Sequence, residues 1–255
     1  MASLQTLSYS RISTYLSCPL KFYFNYVLGL KPKRTPVALA FGSTIHKAIE
    51  IKLQADMEGR TLPIGELQER FDKDWNQAGQ EQDIAYKKDD AGALSAQGKA
   101  LLTTLFEAPK PEGTLVGIEE PFEVQVAPDL PPLNGRIDAL YQGEDVESIH
   151  VVDFKTASTS YDDGKAQYDS QLSAYALAMT HQGYPVEKLT VGFEVLVKTK
   201  VPKYQSLKAS RTVAQLAQFV KLASSVYQAV QADVFYPRRD FHCADCQFRA
   251  ECEAW

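Results

Sequence analysis

The sequence predicts an α/β fold in which helices cover a mixed central sheet. Three observations support this: apolar residues at helical spacing near the start, three strand-like segments between about residues 114 and 157, and a helix followed by another strand. This order of elements implies a mixed sheet with helical cover. A chain of 255 residues with 45% hydrophobic content can bury a full core, so we expect one domain over residues 1–255.

The first 50 residues predict three helices. Ser10 is a suitable cap for the first helix, in which Ile12 and Tyr15 share one face. Pro19 begins a second helix, which is aromatic on most sides and should therefore be buried. After a basic loop over residues 31–36, a long helix opens at Phe41 and places His46 near its N-terminal end.

The middle of the chain changes from helical to strand character. Residues 56–111 are charged and helix-prone and are interpreted as a helical insertion. Alternation then predicts a strand over residues 115–126, broken or placed at the sheet edge at Pro121. Glu119 and Glu120 of this strand could approach the acids described below, but we expect them to be solvated carboxylates. Later segments predict a helix over 168–179, a strand over 189–197 and a long amphipathic helix over 212–232.

Two short apolar runs carry acids. Residues 135–138 end in Asp138, residues 151–155 contain Asp153 and Lys155, and the loop between them is rich in Gly, Asp and Glu, which predicts a hairpin. Neighbouring strands would bring the two acids together, and the period of two places Lys155 on the face of Asp153. Two carboxylates suit Mg²⁺ or Mn²⁺, and a nearby lysine can position or deprotonate an attacking water. Because an isolated Asp-x-Lys is more often a solvated ion pair, the rest of the chain has to support this interpretation.

The four cysteines have the spacing of metal ligands. Cys243, Cys246 and Cys252 form a C-x2-C-x5-C pattern, and Cys18 is the only other cysteine in the sequence. Four thiolates suit either Zn²⁺ or an iron–sulfur cluster, and the spacing does not decide between them. Either centre would join the first helices to the last residues, 243–252, as a structural staple.

Composition constrains the partners. The net charge of -5 does not indicate a general polyanion binder, although basic residues at 31–34 and 238–239, with the aromatic early helices, are candidates for a single-strand channel. No apolar run reaches the roughly 18 residues of a membrane span, and residues 1–6 lack the basic and apolar regions of a signal peptide. We therefore expect a cytoplasmic protein with no membrane partner.

Several motifs occur together and in order along the chain. They are Cys18-Pro19, G-x-x-x-H from Gly42 to His46, G-x-x-D from Gly135 to Asp138, D-x-K from Asp153 to Lys155, Q-x-x-x-Y from Gln171 to Tyr175, and the three terminal cysteines. With these motifs the chain resembles the RecB-like nucleases of the PD-(D/E)xK superfamily, of the type found in the C-terminal nuclease domain of AddB and in CRISPR-associated RecB-like exonucleases. Ile137 stands where the superfamily usually has proline.

The resemblance implies a restriction-endonuclease-like core and a set of roles. His46, Asp138 and Asp153, with the Phe154 carbonyl, would ligate Mg²⁺ or Mn²⁺, and Lys155 would activate or orient the hydrolytic water. Gln171 and Tyr175 would steady the active site and the DNA near it. A 4Fe-4S cluster would be held by the four cysteines, Cys18, Cys243, Cys246 and Cys252. Zn²⁺ at the same cysteines is the alternative.

The function implied is that of a metal-dependent deoxyribonuclease, an exonuclease acting on single-stranded DNA or DNA ends. It would act in DNA repair, recombination or CRISPR adaptation. Its protein partners would be other proteins of that pathway. Two alternatives remain open. One is a partner-dependent DNA-binding or processing subunit with little activity alone, and the other is a zinc-stapled structural protein with an unrelated carboxylate cluster.

Overall fold

The computed structural model describes residues 4–86 and 90–255. Residues 1–3, part of the segment that lacks signal-peptide features, and residues 87–89, part of the predicted helical insertion, lie outside the described residues. Within the described ranges, the chain forms a five-stranded sheet with helices on both faces, and a two-stranded parallel pair lies apart from it.

The central sheet is mixed, as predicted. Its strands, in spatial order, are β3 (Thr114–Val124), β4 (Leu133–Gln142), β5 (Ile149–Ala157), β6 (Leu189–Val197) and β7 (Lys203–Ala209). β5 and β6 are parallel, and the other neighbours are antiparallel. Pro121 lies in β3, at the sheet edge, where a missing N–H does not break an internal ladder.

Each face of the sheet is covered by its own helices. One apolar cluster lies against α1 (Tyr9–Ser17), α7 (Ser170–His181) and α8 (Val213–Gln231). The other lies against α3 (Val37–Met57), α4 (Ile64–Glu81) and α5 (Ala91–Glu107). Because alternate side chains of a strand point to opposite faces, the apolar strands β5 and β6 contribute to both clusters.

Short elements complete the described chain. They are α2 (Pro19–Phe22) with a π-helical turn (Tyr23–Val27), the parallel strands β1 (Thr35–Pro36) and β2 (Ile84–Ala85), α6 (Lys165–Tyr168), two 3₁₀ turns (Val186–Lys188 and Phe241–Asp245) and α9 (Arg249–Glu253). Leu20 of α2 and Phe24 of the π-helical turn pack against Phe248 near the C-terminus. This small apolar cluster joins the two ends of the chain.

Three local predictions were wrong. Ser8, rather than Ser10, caps α1, and its Oγ accepts a hydrogen bond from the Arg11 N–H over 3.2 Å. α3 begins at Val37, after the extended Pro36, so His46 lies in the third turn and not at the N-terminal end. β7 was missed because its exposed lysines and half-buried residues dilute the alternation.

Within residues 4–86 and 90–255, no helix combines the length and apolarity that crossing a bilayer requires.

Candidate active site

The two hairpin acids lie where strands β4 and β5 separate. Their pairing ends at Ala139 opposite Val152, so Asp138 and Asp153 are the next residues on either strand. The Phe154 backbone N–H donates a hydrogen bond to Asp138 Oδ2 over 2.7 Å. A side chain therefore takes the place of the next ladder bond, and the two acids lie side by side where the strands separate.

Helix α7 fixes one oxygen of Asp153. Gln171 Nε2 and the Tyr175 hydroxyl donate hydrogen bonds to Asp153 Oδ1 over 2.8 and 3.1 Å, and the two side chains are 2.7 Å apart. Gln171 and Tyr175 are four residues apart and so project from the same side of the helix. Asp153 is 1% exposed, and every residue from 172 to 179 of this helix is buried. The orientation of Asp153 is thus set by a rigid, buried element.

The second oxygen of Asp153 faces Lys155. The Lys155 Nζ lies 2.5 Å from Asp153 Oδ2, but within the described residues this oxygen receives no hydrogen bond of normal geometry. Burial lowers the pKa of Lys155, while attraction to Asp153 and Asp138 raises it, and the net shift is upward. Lys155 is therefore an ammonium group here, and it donates rather than accepts hydrogen bonds.

Glu119 of β3 also belongs to this site. One ligand atom from each of His46, Glu119 and Asp138 lies within 4.8 Å of the others, and His46 Nδ1 is 3.5 Å from Asp138 Oδ2. Glu119 has a φ of 51°, in the left-handed region that non-glycine residues seldom adopt. Its interpretation as a solvated carboxylate was wrong, whereas its neighbour Glu120 is indeed exposed.

The charges of the site favour binding of a cation. Burial and the nearby Asp153 raise the pKa of Asp138 to about 8. Burial raises the pKa of Glu119, and the negative charge of Glu50 raises it further. Burial lowers the pKa of His46, so its imidazole stays neutral and able to act as a ligand. A divalent cation would relieve the repulsion between these acids, and carboxylate oxygens with an imidazole nitrogen are donors that Mg²⁺ or Mn²⁺ accepts.

The four cysteines line a separate cavity of about 260 Å³ between α2 and the tail. All four are free thiols, and burial, then the neighbouring Cys18 and Cys246, raises the pKa of Cys252. Within the described ranges, no three of the sulfurs lie within 4.8 Å of one another. Tetrahedral zinc with Zn–S bonds of about 2.3 Å needs sulfurs about 3.8 Å apart, so a zinc site is not preformed. The donor set suits a soft metal centre.

A basic groove lies beside this cavity. Lys33, Arg34 and Arg238 line a space of about 810 Å³, together with the aromatic residues Tyr86 and Phe241. Phe241 is 78% exposed. Residues of the basic loop at 31–34 and of the C-terminal tail therefore line one groove, and the single-strand channel stays a prediction.

The fold and the site define a nuclease. Residues 6–253 match the sequence profile of the PD-(D/E)XK nuclease superfamily, so the chain belongs to that superfamily, whose members are hydrolases that use divalent metals. No curated protein sequence matches this chain significantly.

Solved structures show the same fold. The crystal structure of a candidate exonuclease from Eubacterium rectale superposes with a TM-score of 0.61 at 13% identity, covering 98% of this chain and 88% of that chain. The structure of SSO0001 covers 96% of this chain and 93% of its own at 14% identity, but its TM-score of 0.37 supports no argument. The first likeness supports the mixed sheet and helical layers described above.

Proposed function

We propose that this nuclease is a Mg²⁺- or Mn²⁺-dependent deoxyribonuclease of the RecB-like branch, acting as an exonuclease on single-stranded DNA or free DNA ends. The observation that carries the proposal is the convergence of Asp138, Asp153 and Lys155 at the fork of the hairpin. Repair, recombination or CRISPR adaptation is the proposed setting, and proteins of those pathways are the proposed partners.

The proposed metal ligands are His46, Asp138, Asp153 and the Phe154 carbonyl, and we add Glu119 because of its position beside His46 and Asp138. The repulsion between Asp138 and Asp153, which helps to raise the pKa of Asp138, supports this assignment, since a divalent cation would offset it. The cation would polarise the phosphate and lower the pKa of the attacking water.

The protein groups contribute orientation and charge. Gln171 and Tyr175 hold Oδ1 of Asp153, which leaves Oδ2 directed at the reaction site. Because Lys155 is protonated, it would orient the water and offset negative charge on the phosphoryl oxygens. These contacts come from strand and helix residues, and rigid elements position a site more precisely than loops do.

The cysteine cavity is the proposed site of a 4Fe-4S cluster. Cys18, Cys243, Cys246 and Cys252 supply the four thiolates that such a cluster uses. The resemblance to RecB-like nucleases, and not the spacing of the cysteines, favours the cluster over the zinc alternative.

The basic groove supports DNA as the substrate. Lys33 and Arg238 supply positive charge beside the exposed ring of Phe241, the combination that holds phosphates and stacks unpaired bases. The groove includes Val37 and Ala38 at the start of α3, whose third turn carries His46. Nine residues of helix at about 1.5 Å each span about 13 Å, the length of a few nucleotides at most.

End-labelled DNA tests the proposal. Single-stranded and duplex substrates, labelled at either end, are incubated with anaerobically purified protein in Mn²⁺ or in EDTA. We expect metal-dependent cleavage that Lys155→Ala lowers by about 100-fold or more, with DNA binding retained, because the variant loses only local positive charge. Lys110→Ala, an exposed lysine paired with Asp56, is the matched control.

The outcomes separate the alternatives. Undiminished cleavage by Lys155→Ala would refute the role of that residue. A folded wild-type protein that binds DNA but does not cut it would instead support a partner-dependent processing subunit.

A further inference from the structure

We infer that a cleft beside Lys155 binds one unpaired nucleobase of the DNA next to the cleaved bond. The inference rests on the proposed function and specifies how its substrate is held. The cleft has a volume of about 600 Å³, within the range of about 300–1,000 Å³ typical of ligand sites. It lies between α1 and the segment from β5 to α7, and its walls include Tyr9, Tyr161, Lys165 and Tyr168.

The cleft is adjacent to the reactive groups. The Lys155 Nζ lies 5.7 Å from the centroid of the Phe193 ring, and the Tyr161 ring packs edge-on against the same ring at 5.8 Å. Phe193 is 1% exposed, so it is a fixed spacer between the two side chains. The two contacts put the Lys155 Nζ at most about 11.5 Å from the Tyr161 ring centroid, a distance that one nucleotide with its phosphate near Lys155 can span.

One wall of the cleft is preorganised. The Tyr161 backbone N–H donates to Gln205 Oε1 over 2.9 Å, and Gln205 Nε2 donates back to the Tyr161 carbonyl over 2.9 Å. This reciprocal pair ties the loop after β5 to β7, in the rigid sheet. A wall fixed before binding lowers the conformational cost of holding a ligand.

The other wall presents an exposed aromatic ring. Tyr168 is 83% exposed at the end of α6, and its ring lies over the turn at Gly164, where an added Cβ would be 3.8 Å away. Stacking on such a ring suits any base, because every base has a π-face. A large aromatic side chain held in the open beside a reactive site is consistent with a stacking platform.

The charges of the cleft favour a base over a phosphate. The Lys165 ammonium is paired with the buried Asp169 carboxylate over 2.8 Å, and Asp162 adds a further negative charge. Asp162 is held in place by accepting a hydrogen bond from the Gly164 N–H over 2.8 Å. Phosphate is thus directed to Lys155, and the base to the tyrosines. Only an unstacked, unpaired base can enter, so the cleft selects single strands or frayed ends.

Abasic substrates test this assignment. A 5′-labelled single-stranded oligonucleotide carries one abasic site at successive positions, and the rate of cleavage at each bond is measured in Mn²⁺. For wild type and Tyr168→Phe, we expect the abasic site to slow cleavage about tenfold at a single distance from the bond. For Tyr168→Ala, cleavage of intact DNA should already be slowed about tenfold, and the abasic site should add nothing. Phe106→Ala, another exposed aromatic residue, is the control.

The alternative results are distinct. An abasic penalty of the same size in wild type and Tyr168→Ala would overturn the base-binding cleft and leave the nuclease proposal intact. Failure of the wild-type protein to bind or cut any of these DNAs would overturn the proposed function and this inference together.

Discussion

Glu119 combines an unusual backbone conformation with a place beside His46 and Asp138. It aligns with Asp138 across β3 and β4, since Ile118 pairs with Ala139 and Glu120 with Ile137. A left-handed φ at a non-glycine residue costs of order 1–3 kcal/mol and persists where the surrounding structure imposes it. The backbone at Glu119 therefore gives up some strand stability, and its carboxylate lies beside His46 and Asp138.

A neutral amide at position 119 tests this role. We expect Glu119→Gln to raise the Mn²⁺ concentration needed for half-maximal cleavage by about tenfold, because one anionic group near the cation is lost. Direct Mn²⁺ binding, measured by calorimetry, should weaken in parallel. Glu120→Gln, the exposed neighbour, should behave as wild type. Equal metal dependence in the two variants would exclude Glu119 from the site.

His150, which lies outside the active site, should make the stability of the fold depend on pH. Its side chain is 7% exposed, and within the described residues its Nε2 has no hydrogen-bond partner. Burial, then the nearby Lys208, lowers the pKa of His150 to about 4. The unfolded chain takes up this proton near pH 6.5, while the folded chain does not, so stability falls as the pH drops from 6.5 towards 4.

Urea unfolding at pH 7.5 and 5.0 measures this effect. Between these values, the wild-type free energy of unfolding should fall by about 2 kcal/mol more than that of His150→Leu, which cannot be protonated. Identical pH dependence in wild type and His150→Leu would show that this histidine does not contribute.

At the scale of elements, the sequence predicts those strands and helices whose formation depends on a local pattern of residues. The acid-bearing hairpin followed from two short apolar runs on either side of a polar loop, and its pairing places Asp138 and Asp153 on adjacent strands. The sequence did not decide whether Glu119 approaches the acids, because its position depends on the register of β3 against β4, which no local pattern encodes. β7 was missed because an edge strand with exposed lysines lacks a clear apolar face.

The packing of α4 against α5 depends on a helical glycine. A Cβ at Gly98 would overlap the ring of Phe71, which is fully buried. Alanine favours a helix by about 1 kcal/mol over glycine, but overpacking a rigid core costs about 1–3 kcal/mol. We therefore expect Gly98→Ala to destabilise the protein in chemical unfolding.

A glycine-to-alanine substitution at an uncrowded helix position should not destabilise the protein. Gly65, at the start of α4, has no atom within 4 Å of an added Cβ. Gly65→Ala should be neutral or stabilising, because only the helix propensity changes. If Gly98→Ala proved as stable as Gly65→Ala, the conclusion that α4 and α5 are too close at Gly98 for an added Cβ would be wrong.

At the scale of the whole molecule, the ends of the chain meet on one side. The Leu20 N–H donates to the Tyr236 carbonyl over 3.0 Å, Tyr15 donates to the Val234 carbonyl over 2.7 Å, and Phe248 packs on Leu20. Beyond Asp240, few apolar residues are buried, and Phe241 is exposed. Phe248 is the main apolar anchor of this segment, so the proposed metal centre at the cysteines would add to the hold on the tail.

Loss of the centre should loosen this segment. In Cys252→Ser, we expect little bound iron, loss of visible absorbance and rapid tryptic cleavage near Arg238, Arg239 and Arg249, because three thiolates hold a cluster less firmly than four. Ala250→Ser, an exposed change on the same short helix, should keep the metal and resist cleavage. A colourless, zinc-containing protein purified without oxygen would favour zinc. An equally resistant tail in Cys252→Ser would show that the metal centre is not the staple.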